Sequence, residues 1–235
     1  VSFGHSSSGS PQSHSERFAV FDLDRTITKQ GTFTTFLLST RRTFAPRAGL
    51  MLCILVHMAR YKLGLIDRLD LKNCMLEAAF RGMDREAVER VAEDFVVRTV
   101  KTGIRTGFPQ VLARHRDAGD KLVLATASVD LYAALFADHF RFDILVCTTT
   151  AFAGHGTQLP RILGRNCYGA EKKERVARAL LSDDAVSRED VFVTAYSDHL
   201  SDLPLLKWAD AGLVVRPRSK APTAKTVAGL QIKYW

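Results

Sequence analysis

The chain has 235 residues, 46% of them hydrophobic and 25% charged, with a formal net charge of +8. This balance excludes a disordered chain, a collagen-like chain and a polytopic membrane protein, and the length suits one large domain or a core with a smaller insert. The basic excess favours an anionic partner: nucleic acid, an anionic membrane surface or a phosphorylated substrate.

Residues 1–16 are rich in Ser, Gly and His without an apolar run, and read as a disordered leader. Order begins at Arg17. The run Phe18-Ala-Val-Phe ends in Asp22-Leu-Asp24, the pattern of a buried parallel strand. From residue 32 to residue 104 no strand is convincing and helical periodicity dominates. Asp84 is the expected N-cap of a helix that repeats Val88, Val91, Phe95 and Val96. Residues 32–104 are therefore predicted to be a helical insert, with a core formed by 17–31 and 105–235.

Beyond the insert, strands are predicted at Lys121–Ala125, Phe142–Cys147, Val191–Ala195 and Ala211–Val215. Helices are predicted at Pro109–Ala118, Asp130–His139, Ala170–Leu181 and Leu203–Trp208. Alternation of this kind implies an α/β fold with a doubly wound, Rossmann-like parallel sheet. Thr148–Arg161, with Gly154-His155-Gly156, is a candidate β-hairpin, and Arg216–Trp235 is a basic tail. The four cysteines, Cys53, Cys74, Cys147 and Cys167, lack CxxC spacing, so neither a zinc site nor a disulfide framework is indicated and a cytoplasmic setting is expected.

Ligands of open α/β sheets sit at the carboxyl ends of the strands. There the sequence places Asp22 and Asp24, then Thr126-Ala-Ser128, then Asp198 and Asp202, with Lys172 and Lys173 in the preceding helix. Clustered carboxylates repel and raise one another's pKa, a problem that an oxygen-loving Mg²⁺ relieves. Each also has an ordinary reading: the acids as caps or turn formers, Thr126 and Ser128 as helix N-caps, the lysines as solvated helix residues.

Asp-x-Asp-x-Thr after a strand, a strand-end hydroxyl, a lysine and Asp-x-x-x-Asp after a late strand occur here in that order. This set resembles the four motifs of the haloacid dehalogenase superfamily over residues 17 to about 217. The resemblance implies that Asp22 is a nucleophile forming an aspartyl-phosphate, and that Asp24 is the general acid and base. It implies Mg²⁺ held by Asp22, Asp24 through its carbonyl, and Asp198, with Asp202 supporting that shell. Thr126, preferred over Ser128, and Lys172, preferred over Lys173, would bind the phosphoryl group. Arg25 departs from the glycine common in the family, and His199 from a commonly small residue.

Acids at both positions 22 and 24 resemble the phosphatases and phosphomutases, and an insert directly after the first motif resembles the phosphoserine phosphatase branch. That branch usually has Glu nine positions after the nucleophile, where this chain has Gly31. The insert also resembles bacterial phosphatidylglycerophosphatase C, in Phe33-Thr-Thr-Phe-Leu-Leu, Arg41-Arg42, a long apolar run and Arg60-Tyr-Lys, as does Val214-Val-Arg-Pro-Arg late in the chain. The run from Gly49 to Ala59 is too short to span a bilayer, and Arg41, Arg42, Arg47, Arg60 and Lys62 flank it. It is either an interfacial helix on the anionic inner face of a membrane or a buried insert helix or dimer contact. The expected activity is Mg²⁺-dependent phosphomonoester hydrolysis on a small metabolite or a lipid head group, without nucleic acid. The alternatives are a phosphoserine or other small-metabolite phosphatase and a catalytically silent phospho-ligand binder.

Overall fold

The computed structural model describes residues 16–40, 44–153, 159–182, 185–215 and 229–235. The leader through residue 15, Arg41, Arg42, Gly154-His155-Gly156 and residues 216–228 of the tail lie outside these.

β1 (Glu16–Phe21) is flanked by β2 (Lys121–Val129) and β6 (Val191–Ser197) in a six-stranded sheet that also contains β3 (Ile144–Thr148), β7 (Ala211–Val215) and β8 (Gln231–Lys233). The order is β3-β2-β1-β6-β7-β8, and every pairing is parallel. Strand alternation splits β1 between two cores. Ala19 and Phe21 pack with Leu122, Leu124 and the helices of one face. Phe18 and Val20 pack with Val123, Val193, Val176 and Leu205 on the other. Both faces are covered, which is why these strands read as unbroken apolar runs.

α5 (Phe108–Asp117) and α6 (Asp130–Phe140) lie on the first face, and α7 (Ala170–Leu180) and α8 (Leu203–Trp208) on the second. The helical insert comprises α1 (Thr32–Ser39), α2 (Phe44–Lys62), α3 (Arg68–Phe80) and α4 (Arg85–Thr102). Its two connections meet where Thr28 bridges Ile104. Asp84 caps α4 as expected, accepting from the Ala87 N–H at 2.8 Å, and Val88, Phe95 and Val96 are buried, with Val91 half-buried beside them. Phe36, Phe80, Phe95 and Tyr132 pack as tilted rings across the junction of insert and core. The hairpin is present as antiparallel β4 (Thr150–Ala153) and β5 (Leu159–Ile162), with the Ile162 N–H donating to Asn73 of α3.

Two boundaries differ from expectation. Glu16 belongs to β1 rather than to the leader. The tail contributes β8 and then Trp235, whose indole Nε1 donates to the Thr26 carbonyl at 3.0 Å and whose ring lies 5.2 Å from Tyr196. β8 is exposed along its length, so it carries none of the apolar signal by which buried strands are recognised. Among the described residues no helix is long and apolar enough to cross a membrane.

Candidate active site

The switch in strand order falls at β1, whose neighbours β2 and β6 begin the two halves of the sheet, and an open α/β sheet binds its ligands at such a point. β1 ends at Phe21, and the next residue, Asp22, donates its N–H to the Tyr196 carbonyl of β6 at 2.9 Å. The chain then turns sharply through Leu23–Ile27, with Arg25 at φ 60°. That left-handed conformation suits glycine and costs any residue with a Cβ, so Arg25 holds a strained corner beside the candidate nucleophile. The Arg105 guanidinium braces it, Nε donating to the Arg25 carbonyl at 2.7 Å. Thr26 ties the turn to β6, because its Oγ1 accepts the Asp198 N–H at 2.9 Å.

Lys172 occupies the first turn of α7, in line with the buried Val176 and Leu180. Its ammonium, 2% exposed, bridges Asp22 Oδ1 at 2.9 Å and Asp202 Oδ2 at 2.7 Å. Ser197 Oγ also donates to Asp202 Oδ2, at 2.7 Å. Burial pushes the Asp22 carboxyl up from the usual carboxylate range, Lys172 opposing and Asp202 and Asp24 adding to the rise. Burial works against the Lys172 charge too, but the two carboxylates outweigh it and its pKa is raised. The neighbouring Lys173 is partly exposed and pairs with Glu174, so of the two lysines only Lys172 reaches the carboxylates.

Asp24 points the other way. Its Oδ1 accepts from the Thr32 backbone N–H and from Thr32 Oγ1 at 2.6 Å, and its Oδ2 accepts from Ser128 Oγ at 3.0 Å. Thr32 opens α1, so the first residue of the insert holds this carboxylate. Thr32 Oγ1 also lies 3.1 Å from the buried Tyr132 hydroxyl.

These groups surround a cavity of about 340 Å³ lined by Asp22, Asp24, Ser128, Lys172, Asp198 and Asp202. Larger hollows of 580 and 640 Å³ lie elsewhere and contain none of these six, so chemistry rather than size marks the site. Thr126, the hydroxyl preferred from sequence, is fully buried, accepts the Ser128 N–H at 3.0 Å and does not line the cavity. Ser128 does line it. Strand alternation puts residues 126 and 128 on one face, and a register shift between Ala125 and Val129 separates them. His199 also lines the cavity, and its Nδ1 accepts the Ser201 N–H at 3.1 Å.

Phe33 lines it too, and so do Arg68, Lys72 and Tyr168, which the sequence reading does not single out. The Arg68 guanidinium lies 3.9 Å over the Tyr168 ring. Lys72 Nζ donates to the Ala127 carbonyl and to Asn166 Oδ1, each at 2.6 Å. Burial draws its pKa down to about 8, with Asp24 opposing and Arg68 adding to the fall. A signal existed for this pair: two like charges stand at i and i+4 on one helix, where they repel.

The model of the haloacid dehalogenase-like hydrolases matches residues 19–207. The chain belongs to that family. Among curated proteins, this haloacid dehalogenase-like hydrolase is 28% identical over 198 residues to Protein CicA of Caulobacter vibrioides, covering 84% of this chain and 85% of the relative. Among solved structures, it is similar to a protein of unknown function from Bordetella pertussis Tohama I, with a TM-score of 0.78 and 23% identity over 93% of this chain and 98% of the other. A phospho-aspartyl intermediate analogue of phosphoserine phosphatase shares the fold, with a TM-score of 0.59, 11% identity and 92% coverage of each chain.

Proposed function

We propose that this hydrolase is a phosphomonoester phosphatase in which Asp22 attacks phosphorus and Asp24 serves the leaving group. The observation that carries this reading is the pairing of two carboxylates two residues apart in opposite environments. Asp22 is buried against Lys172, suited to a nucleophile whose negative charge and whose phosphoryl adduct need a fixed cation. Asp24 is held by hydroxyls and an N–H, and lines the same cavity as Asp22. In the first half-reaction Asp22 would displace the alcohol as Asp24 protonates it; in the second, Asp24 would take a proton from the water that hydrolyses the aspartyl-phosphate. Ser128 holds Asp24 and also lines the pocket, so we assign it both an orienting and a phosphate-facing role, and Thr126 a supporting one behind it.

The oxygen donors suit Mg²⁺. The Asp22 and Asp198 carboxylates line the cavity, and Asp202 Oδ1 is buried without a hydrogen-bond partner, while Asp202 Oδ2 is taken by Lys172 and Ser197. No group of three His, Cys, Asp or Glu side chains among the described residues is gathered to hold a metal. That is compatible with Mg²⁺, which binds through one or two carboxylates, a carbonyl, waters and the substrate phosphate. Asp22, Asp198 and the Asp24 carbonyl would hold it, and Asp202 would support the set. Bound Mg²⁺ would polarise the phosphoryl group and offset the carboxylate charge.

We further propose that the insert caps the site and sets specificity, and that the substrate is anionic beyond its phosphate. Arg68 and Lys72 supply cations from α3, and Gly31 supplies no carboxylate for a substrate amine. A lipid phosphate such as phosphatidylglycerophosphate meets this requirement, and the free cysteines support a cytoplasmic setting. The test is phosphate release from p-nitrophenyl phosphate with and without Mg²⁺, then from phosphatidylglycerophosphate, lysophosphatidic acid, phosphoserine and sugar phosphates. Activity that needs Mg²⁺ and disappears in Asp22→Asn supports the reading. No release from any ester overturns it in favour of a silent binder.

A further inference from the structure

α2 has an outer face that the fold does not use. Leu50 and Ile54 are buried in the insert, whereas Leu52, Leu55 and Val56 are 64%, 58% and 51% exposed and Met51 and Met58 are exposed beside them. At roughly 100° per residue, these five side chains fall in one outward arc of about 160°. The helix, Phe44–Lys62, contains no Asp or Glu. Its exposed cations sit at the ends, Arg47 in its first turn and Arg60 and Lys62 in its last. An apolar stripe with basic ends and no acid is the pattern of a helix lying in a lipid interface, its aliphatic residues in the acyl boundary and its cations at the head groups.

The stripe continues toward the active site. After Lys62, Leu63 and Leu65 stand 74% and 66% exposed in the turn to α3. Three residues beyond Leu65 is Arg68, on the wall of the catalytic cavity, with Lys72 one turn further. The surface that meets solvent with leucines therefore runs to the element that presents two cations to the substrate.

We infer that the outer face of α2, with Leu63 and Leu65, docks on an anionic lipid bilayer and brings the cavity to phosphomonoester head groups at its surface. The substrate half of this inference rests on the phosphatase reading above; the docking half does not. The charge is complementary, since each basic residue near an anionic leaflet strengthens binding by about fivefold. The docking is peripheral, because the helix does not meet the requirement for a span.

Flotation with phosphatidylcholine vesicles, with and without phosphatidylglycerol, tests it on the full chain. We expect at least tenfold tighter binding to the anionic vesicles, weakening with salt. The double variant Leu52→Asp/Leu55→Asp should lose binding at least tenfold while retaining p-nitrophenyl phosphate turnover and its circular dichroism, since both residues are exposed and away from the cavity. Arg60→Gln/Lys62→Gln should weaken anionic binding while leaving neutral binding unchanged. Equal absence of binding to both vesicles overturns the inference, as does binding that survives Leu52→Asp/Leu55→Asp. A wild-type dimer that the double variant dissociates, without vesicle binding, also overturns it and assigns the face to a second copy. Asp22→Asn should float like the wild type, so loss of the phosphatase reading and loss of the docking reading are separately visible.

Discussion

At the carboxyl end of the sheet, Asp22, Lys172, Asp202 and Ser197 are buried and each answers another within hydrogen-bond distance. On α2, leucines stand in solvent with arginine and lysine at the helix ends. The first region spends desolvation on a fixed electrostatic arrangement, which is what catalysis of charge transfer needs. The second leaves its apolar surface exposed, which is what recognition of an external surface needs. The insert that carries α2 meets the sheet end at Thr32, whose side chain and N–H hold the Asp24 carboxylate, and along α3, where Arg68 and Lys72 line the cavity.

If the division is right, damage to the sheet end removes chemistry and damage to the insert removes recognition. Asp22→Asn should cut turnover by about 10⁴-fold or more with little effect on unfolding by urea, measured by phosphate release and by circular dichroism. Lys172→Met should affect both chemistry and stability, because two buried carboxylates lose their shared cation. We expect a loss of about 3–5 kcal/mol in urea unfolding together with loss of turnover. A stable, inactive Lys172→Met would show that the carboxylates are not destabilised by losing it, and would weaken the account of Asp22 as a nucleophile held by a fixed cation.

Lys72→Met should raise KM about tenfold or more for an anionic substrate while leaving kcat within a few-fold, the loss of one charge-assisted contact. In the wild type the same KM should climb as pH rises past about 8, where Lys72 gives up its proton. A pH-independent KM, or a fall in kcat alone, would move Lys72 from the recognition side to the chemistry side.

The smallest effect should come from behind the sheet. Burial works against the Asp120 charge, but hydrogen bonds from His115 at 2.6 Å and Arg17 at 2.8 Å outweigh it and hold its carboxyl below the usual range. A carboxyl lowered on folding contributes stability that is present above its unfolded value near ~4 and is lost as pH falls through the folded value. Asp120→Asn should therefore cost about 1–2 kcal/mol near neutral pH and flatten the loss of stability in acid, read from urea midpoints between pH 3 and 7.

Much of this was legible because burial writes itself into sequence. β1, β6 and β7 are covered on both faces and appear as apolar runs, and the acids that end β1 and follow β6 mark the site. The family resemblance favours Lys172 over Lys173, and the structure buries the first and leaves the second with Glu174. What was hidden depends on local geometry or on distant partners. Thr126 and Ser128 share a face by alternation, so alternation does not tell which of them meets the cavity, and the β2–β3 register is irregular just there. Arg68 and Lys72 lie far from the motif acids in sequence and are brought to them by the packing of α3. β8 has no buried face to announce it.

The contact between Trp235 and the Thr26 carbonyl has a practical consequence. One of only two indoles in the chain is hydrogen-bonded to the turn that carries Asp22 and Asp24. Its fluorescence is a built-in optical readout of that turn. A titration of Mg²⁺ or of a phosphate analogue, followed by emission in a Trp208→Phe background, would report loop movement without any label.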